Sequence, residues 1–228
     1  MRSRQKSAHI LEISKMFADG VILRYSIRLW ATSPVENSGS ILLDRKKTIR
    51  YNRRSMARII LGMTGASGTM YGLRLLELLL QRGDEVHLVM SPAWHQSAAQ
   101  EGTVPPQADA RLFVYEPNHF NVSIASGSAH FDGMVIAPCS GSSLGCIASG
   151  VNLHLVHRAA EVQLKERRPL ILLLRESPLS LVHVQNMERI TLAGGIIQIA
   201  APHFYTAPQT IRDVIDTVVL RTLQLLSR

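Results

Sequence analysis

The chain has 228 residues, of which 46% are hydrophobic and 18% are charged, and its formal net charge is +8 at pH 7. A chain of this length can bury a hydrophobic core without disulfides or metals, and its two cysteines, Cys139 and Cys146, fit neither a disulfide scaffold nor a zinc site. No apolar run approaches the roughly 18–20 residues that a membrane-spanning helix needs, so we expect no such helix.

The net positive charge is confined to the N-terminal quarter of the chain. Residues 1–57 hold 12 Lys and Arg against 4 Asp and Glu, whereas residues 58–228 hold 13 of each. Because residues 58–228 carry no net charge, they lack the basic surface of a nucleic-acid-binding domain. We predict that residues 1–57 form a basic extension that is disordered or lies outside the fold, and that residues 58–228 form a single domain.

Two interpretations of the extension remain open. Translation begins at Met56, so that the upstream residues have no role, or the Arg-rich, acid-poor extension is a mitochondrial transit peptide. Without such a signal, the low cysteine content predicts a reducing compartment and therefore a cytoplasmic protein.

From residue 58 onward, short apolar runs alternate with helical patterns. Strands are predicted at 58–62, 86–90, 113–115, 134–137, 169–174 and 196–199. Helices are predicted at 73–80, from residue 91, at 142–149, 155–167 and 180–193, and from residue 210. The strands are apolar throughout rather than alternating, which is typical of a parallel sheet covered on both faces. We therefore predict a three-layer, doubly wound α/β fold of the Rossmann or flavodoxin type, in which ligands bind where the strands end.

The first turn between a strand and a helix, residues 62–72, is rich in glycine. Glycines let the backbone approach a phosphate, and the following helix is expected to offer unpaired N–H groups and a partial positive charge. The glycine spacing differs from the dinucleotide fingerprint, so a mononucleotide is favoured. A glycine-rich turn is also ordinary turn chemistry, and this segment alone does not assign a ligand.

Polar residues also follow two later strands. Residues 138–143 combine a glycine with three serine hydroxyls, which can bind a phosphate or the edge of a planar ring, or can simply cap the next helix. Arg175 and Glu176 end a strand without other charges, where charged groups are costly unless they are paired or used. Arg158 and Lys165 are seven residues apart, which places them on roughly one face of a helix.

Nine motifs follow one another between Arg58 and the end of the sequence. They are Thr64–Gly68, Ala125–Ser128, Pro138–Ser140, Arg158–Val162, Leu164–Arg168, Arg175–Ser180, Asn186-Met187, Phe204-Tyr205 and Pro208-Gln209. In this order and spacing they resemble the UbiX/Pad family of flavin prenyltransferases. The resemblance implies transfer of the dimethylallyl group of dimethylallyl monophosphate to N5 and C6 of reduced FMN without a metal. It also implies a UbiD-type decarboxylase that takes up the product, and a large homo-oligomer, commonly a dodecamer, with active sites between subunits.

The resemblance assigns roles to individual residues. It implies FMN contacts from Gly65, Ala66, Ser67, Ser91, Ser140, Gly141, Ser142, Ser143 and Arg175. It implies a cluster that binds the prenyl phosphate, formed by Lys165, Arg175, Tyr205 and Arg221, part of it from a neighbouring subunit. Glu176 is expected to act as general base, with Ser67, Lys165 and Arg158 as further catalytic residues and Glu101 as another polar residue of the site.

The sequence departs from the family pattern at several positions. The loop 141–143 lacks the usual Lys or Thr, Leu153-His154 replaces an Asn-bearing pair, and a C-terminal Trp-x-Gly motif is missing. Two alternatives follow: an FMN-dependent cysteine decarboxylase, with His95 as a loose candidate for its base, and a non-catalytic flavin-binding subunit of an aromatic acid decarboxylase. His183 and Cys139 are expected to be packed side chains rather than reactive ones.

Overall fold

The computed structural model describes residues 9–16, 22–29 and 56–227. In the N-terminal extension, strand β1 (His9–Met16) pairs with strand β2 (Ile22–Leu29) in antiparallel register, His9 opposite Leu29. This hairpin is regular structure that the sequence analysis did not predict. The chain divides into two compact units between Ile49 and Arg50, and the hairpin belongs to the first.

The second unit contains one parallel sheet and six helices. The strands are β3 (Arg58–Met63), β4 (Glu85–Met90), β5 (Leu112–Tyr115), β6 (Gly133–Cys139), β7 (Leu170–Leu174) and β8 (Ile196–Ile199). The helices are α1 (Thr69–Arg82), α2 (Pro92–Glu101), α3 (Gly141–Ala148), α4 (Leu155–Lys165), α5 (Leu181–Leu192) and α6 (Ile211–Leu226), and Ser123–Ala125 form a 3₁₀ turn. The predicted α/β class and the succession of elements are confirmed.

The strand order is β5-β4-β3-β6-β7-β8, and every neighbouring pair is parallel. The chain winds outward from β3 in one direction as far as β5, then returns to β6 and winds outward in the other direction. The crevice between β3 and β6 is therefore the switch point where ligands of such sheets bind.

Helices cover the sheet on both faces, which explains why its strands are apolar throughout. Along β7, Ile171 and Leu173 join the core under α1 and α6, whereas Leu170, Leu172 and Leu174 join the core under α3 and α4. All five of these side chains are fully buried. The continuous apolar run that predicted a doubly covered strand is thus accounted for.

Backbone and side-chain hydrogen bonds fix the turns at the carboxyl ends of the strands, an edge of the sheet that we call the carboxyl edge. Thr64, after β3, donates from its backbone N and its Oγ1 to the carbonyl oxygen of Pro138, over 3.1 and 2.9 Å, and its Oγ1 accepts the N–H of Ser140 over 2.9 Å. The N–H of Ser91, after β4, donates to the carbonyl of Met63 over 2.9 Å. The turns after β3, β4 and β6 are therefore joined.

Candidate active site

The turn after β3 lies tightly against the start of α2. A Cβ atom on Gly65 would lie 2.4 Å from the Cβ of Ala93, so a side chain at residue 65 has no room. Ala66 is buried, and Ser67 is exposed. Gly68 has φ +93°, a left-handed conformation that glycine adopts without strain. The turn therefore presents Ser67 and bare backbone to the carboxyl edge.

A carboxylate occupies the start of α1. Glu101, the last residue of α2, accepts the N–H of Gly68 over 2.7 Å, the N–H of Thr69 over 2.9 Å and the Thr69 hydroxyl over 2.7 Å. Burial alone would raise the pKa of Glu101, but hydrogen bonds from Thr69, Gly68 and Ser67 hold it below its ordinary value. The expectation that this helix start offers unpaired N–H groups is therefore wrong for Gly68 and Thr69, because both already donate to the Glu101 carboxylate.

The turn after β6 uses its serines in two ways. Ser140 caps α3: its Oγ accepts the N–H of Ser143 over 3.2 Å and donates to the Ser143 hydroxyl over 3.2 Å. Ser143 itself is buried, whereas Ser142 is exposed. Ser91 caps α2 in the same way by accepting the N–H of Trp94, and it too is buried. The capping interpretation holds for Ser140 and Ser91, and Ser142 keeps its hydroxyl toward the surface.

His157 of α4 supports this turn, and His154, the residue that precedes α4, stacks on it. Nδ1 of His157 accepts the N–H of Leu153 over 3.3 Å, which leaves Nε2 to donate to the hydroxyl of Ser143 over 3.2 Å. The rings of His154 and His157 stack with their centroids 3.8 Å apart. Burial, and secondarily the neighbouring His154, lower the pKa of His157 to about 4, so the ring is neutral at pH 7.

Glu176 and His183 both border the first residue of α3. A Cβ atom on Gly141 would lie 2.7 Å from Oε2 of Glu176 and 2.8 Å from Nε2 of His183. The other carboxylate oxygen of Glu176 accepts the N–H of Ser177 over 3.1 Å. Glu176 thus stands beside the turn after β6, as a residue acting on a ligand there would. His183 lies at the site, although the sequence analysis expected it to be a packed side chain.

Arg175 lies close to Tyr71, a residue that the sequence analysis did not single out. Burial raises the pKa of Tyr71, and the positive charge of Arg175 partly offsets this rise. The ring of Tyr71 also packs on the turn after β3, since a Cβ on Gly68 would lie 2.7 Å from it. Tyr71 is in the first turn of α1, and that position was the available signal, because the first turn of this helix faces the carboxyl edge.

Within the described part of one protomer, the remaining predicted residues are paired with residues other than Arg175 and Glu176. Lys165 ends α4 in an ion pair with Glu166 and lies beside Gly127, in the segment that leads into β6 at the opposite edge of the sheet. Arg158 donates to the carbonyl of Ala125 over 3.2 Å and pairs with Glu161.

Arg221 and Tyr205 contact other residues of the protomer and, among the described residues, form no hydrogen bond with Arg175 or Glu176. Arg221 donates to the side chain of Gln224 over 3.2 Å in the second half of α6. Tyr205 is 86% exposed and stacks on His203, with ring centroids 4.1 Å apart. A single protomer therefore does not assemble the predicted phosphate cluster, and its completion by neighbouring copies stays a prediction. Cys139, predicted to be an unreactive side chain, is fully buried, and burial raises the pKa of its thiol.

Comparisons with known proteins decide the family. A family model described as Flavoprotein matches residues 48–223. Flavin prenyltransferase UbiX of Aquifex aeolicus is 41% identical over 177 residues, which cover 75% of this chain and 94% of that protein. The chain belongs to the UbiX family of flavin prenyltransferases.

Solved structures of UbiX proteins share the fold. AnUbiX (PadA1), in complex with FMN and dimethylallyl pyrophosphate, matches with a TM-score of 0.72 at 39% identity, over 76% of this chain and 93% of that one. A dodecameric FMN-dependent UbiX-like decarboxylase from Escherichia coli O157:H7 matches with a TM-score of 0.70 at 38% identity, over 75% and 95% of the two chains. The expected resemblance and the expected FMN cofactor of the family are confirmed.

The residues of the carboxyl edge fit the FMN that this UbiX family binds. Gly65 and Gly141 present backbone without a side chain, Ser67 and Ser142 have exposed hydroxyls beside them, and Arg175 supplies an exposed cation. Within residues 9–16, 22–29 and 56–227, no group of three or more His, Cys, Asp or Glu side chains could hold a metal ion. In the same part of the chain, no helix is long and apolar enough to cross a bilayer.

Proposed function

We propose that this protein is a flavin prenyltransferase that transfers the dimethylallyl group of dimethylallyl monophosphate to N5 and C6 of reduced FMN. The observation that carries the proposal is the adjacent cation and carboxylate, Arg175 and Glu176, at the carboxyl end of an otherwise uncharged strand. They stand beside the Gly141 turn of a chain with 41% identity to a UbiX protein. We place this activity in residues 58–228, outside the N-terminal extension, and in the cytoplasm.

The proposed FMN contacts divide into direct and supporting ones. The exposed hydroxyls of Ser67 and Ser142, the backbone of Gly65, Ala66 and Gly141, and the side chain of Arg175 are available to touch the cofactor. The hydroxyls of Ser91, Ser140 and Ser143 are already engaged in capping or in the bond to His157, and they hold the turns in place. Ser67 also contributes a hydrogen bond to Glu101, which links Glu101 to the same surface.

The reaction needs help with charge and with a proton. Loss of phosphate from the allylic carbon places negative charge on the leaving group, which fixed Arg, Lys and Tyr donors stabilise. Arg175 supplies one such donor in this protomer. Reduced FMN supplies an electron-rich ring as the prenyl acceptor, and Glu176 takes the proton that leaves C6.

Neighbouring copies are proposed to supply Lys165, Tyr205 and Arg221, with Arg158 beside them. The protomer has an apolar surface that suits assembly: on α5, Leu181 is 71% and Leu192 is 82% exposed. A groove of about 450 Å³ between α3 and α5 adjoins this surface and begins at Ser142. Large exposed apolar patches mark interaction sites. We therefore propose a homo-oligomer, with a dodecamer as the expected form, whose product is taken up by a UbiD-type decarboxylase.

A mass measurement tests the proposal. Purified protein is incubated under anaerobic conditions with reduced FMN and dimethylallyl monophosphate, and the released flavin is analysed by mass spectrometry. We expect a flavin heavier by one C5 unit, and we expect Glu176→Gln to bind FMN without forming it. Bound flavin without this product in the wild-type protein would favour the non-catalytic subunit, and decarboxylation of a peptide with a C-terminal cysteine would favour the cysteine decarboxylase.

A further inference from the structure

His183 has an unusual role at the start of α5. Its backbone N–H donates to the Oγ of the N-cap residue Ser180 over 3.3 Å, and its Nδ1 accepts the N–H of Ser180 over 3.2 Å. A capping box commonly uses Glu or Gln at this position, and here an imidazole takes that place. Because Nδ1 is the acceptor, the hydrogen-bond pattern assigns the proton of the neutral ring to Nε2.

The protonated nitrogen is directed at the active site. Nε2 of His183 and Oε2 of Glu176 lie 2.8 and 2.7 Å from the same point, the position of a Cβ on Gly141. One atom is a donor and the other is an acceptor, and they border the same small space, although the two side chains form no hydrogen bond with each other in this structure. Gly141 does not have a positive φ, so its backbone conformation does not require glycine. The missing side chain instead makes room for Glu176 and His183.

One oxygen of the Glu176 carboxylate already accepts a hydrogen bond. Oε1 accepts the N–H of Ser177, which leaves Oε2 on the side of His183. A base that must meet a proton at a defined position needs both oxygens fixed, since misplacement of a reacting group by about 1 Å can cost about 100-fold in rate. Hydrogen bonds in an active site are commonly loose before the substrate binds and tighten in the complex.

We propose that His183 is a positioning residue for Glu176, which acts by presenting its Nε2–H to Oε2 of the carboxylate. This inference rests on the function proposed above for Glu176. The imidazole exchanges no proton with the substrate. Nδ1 of His183 takes part in the capping box, and Nε2 is the nitrogen offered to Glu176. The start of α5 therefore sets the orientation of the imidazole, and through it that of the Glu176 carboxylate.

Two matched variants separate the two nitrogens. His183→Asn retains an acceptor for the N–H of Ser180 but has no group at the position of Nε2. The longer side chain in His183→Gln can place an amide N–H donor at the position of Nε2. We expect His183→Asn to lower kcat for prenyl transfer on the order of 10–100-fold, as is typical when a supporting hydrogen bond is lost. We expect it to leave KM for dimethylallyl monophosphate almost unchanged. His183→Gln should restore most of kcat.

A second measurement does not depend on turnover and is made on the protein with FMN bound. Infrared difference spectra between the wild-type protein and Glu176→Gln identify the carboxylate stretching band of Glu176. We expect this band to shift in His183→Asn and to keep its wild-type position in His183→Gln. Ser180→Ala serves as the structural control, because it removes the cap hydroxyl but retains the backbone N–H that Nδ1 accepts. It should lower the melting temperature and leave both the band and kcat unchanged.

The outcomes separate this inference from the proposed function. An unshifted Glu176 band in His183→Asn, or equal loss of kcat in the Asn and Gln variants, overturns the positioning role. If the band shifts as expected but the wild-type protein forms no prenylated flavin, the contact exists and the proposed function is wrong.

Discussion

The turns after β3 and β6 look alike in sequence, since both combine glycine with hydroxyl side chains and lead directly into a helix. Their helix starts differ. The start of α1 carries the carboxylate of Glu101 on the N–H groups of Gly68 and Thr69. The start of α3 is capped by Ser140 and meets Glu176 and His183 at Gly141. A carboxylate from another helix thus accepts the first N–H groups of α1, whereas a serine hydroxyl of the turn itself caps α3.

The strongest test of this difference is Gly141→Ala. The added methyl would lie within 2.8 Å of both Glu176 and His183, so both side chains would have to move. We expect prenyl transfer to fall by about 100-fold or more, the cost of misplacing a reacting group by about 1 Å. Gly145→Ala, in the same helix, is the matched control: its nearest neighbour would be Asn186 Nδ2 at 3.5 Å, an ordinary contact. Equal activity of the two variants would contradict the crowding argument.

Glu101→Gln tests the carboxylate at α1. The amide can accept hydrogen bonds but lacks the charge that favours a helix N-terminus, so we expect the free energy of unfolding to fall by about 1 kcal/mol at pH 7. Because the pKa of Glu101 is lowered in the folded state, this stabilisation exists above the unfolded pKa and is lost as the pH falls through the folded pKa. Urea unfolding of both proteins across pH should therefore show a difference that disappears in acid. A constant difference would show that the charge is not the cause.

His157→Gln tests the support under the other turn. The pKa of His157 is lowered from 6.5 to about 4 in the folded protein, so the unfolded chain binds its proton first and stability falls as the pH drops through this interval. Gln can still donate to Ser143 but does not titrate. Between pH 4 and 6.5, the slope of the unfolding free energy against pH reports how many more protons the unfolded chain binds than the folded one. We expect this number to be smaller by up to one in His157→Gln. An unchanged slope would mean that His157 is solvated when folded.

Tyr71→Phe should have the smallest effect. The ring that packs on Gly68 remains, and only the hydroxyl near Arg175 is lost. We expect KM for dimethylallyl monophosphate to rise by only a few-fold, in keeping with the roughly 1 kcal/mol of a single hydrogen bond. Steady-state kinetics with unchanged flavin binding would check this. A large loss of kcat instead would place Tyr71 among the reacting groups.

Much of the architecture was accessible from the sequence, because strands buried on both faces are apolar throughout and glycine or proline marks their ends. The position of Arg175 and Glu176 was accessible for the same reason: a charge pair directly after such a strand must lie at the carboxyl edge. The hydrogen bonds of Glu101 were not, since they join residues that are 32 and 33 positions apart through the packing of α2. His183 was missed because an imidazole is not the usual third residue of a capping box.

The separation of Lys165 from Arg175 also has a simple cause. In this fold a helix runs opposite to the strand that follows it, so a residue that ends α4 and one that follows β7 lie at opposite edges of the sheet. Motif order along the chain therefore identified the residues without showing that one protomer keeps them apart.

The Thr64 hydroxyl joins the turns after β3 and β6. It donates to the carbonyl of Pro138 and accepts the N–H of Ser140, on either side of Cys139. The attachment is made by backbone groups of the second turn, not by its variable side chains. The exposed side chain of Ser142 can therefore be changed without altering the position of this turn. The side chain that contacts the ligand can thus change while the backbone that supports it stays in place.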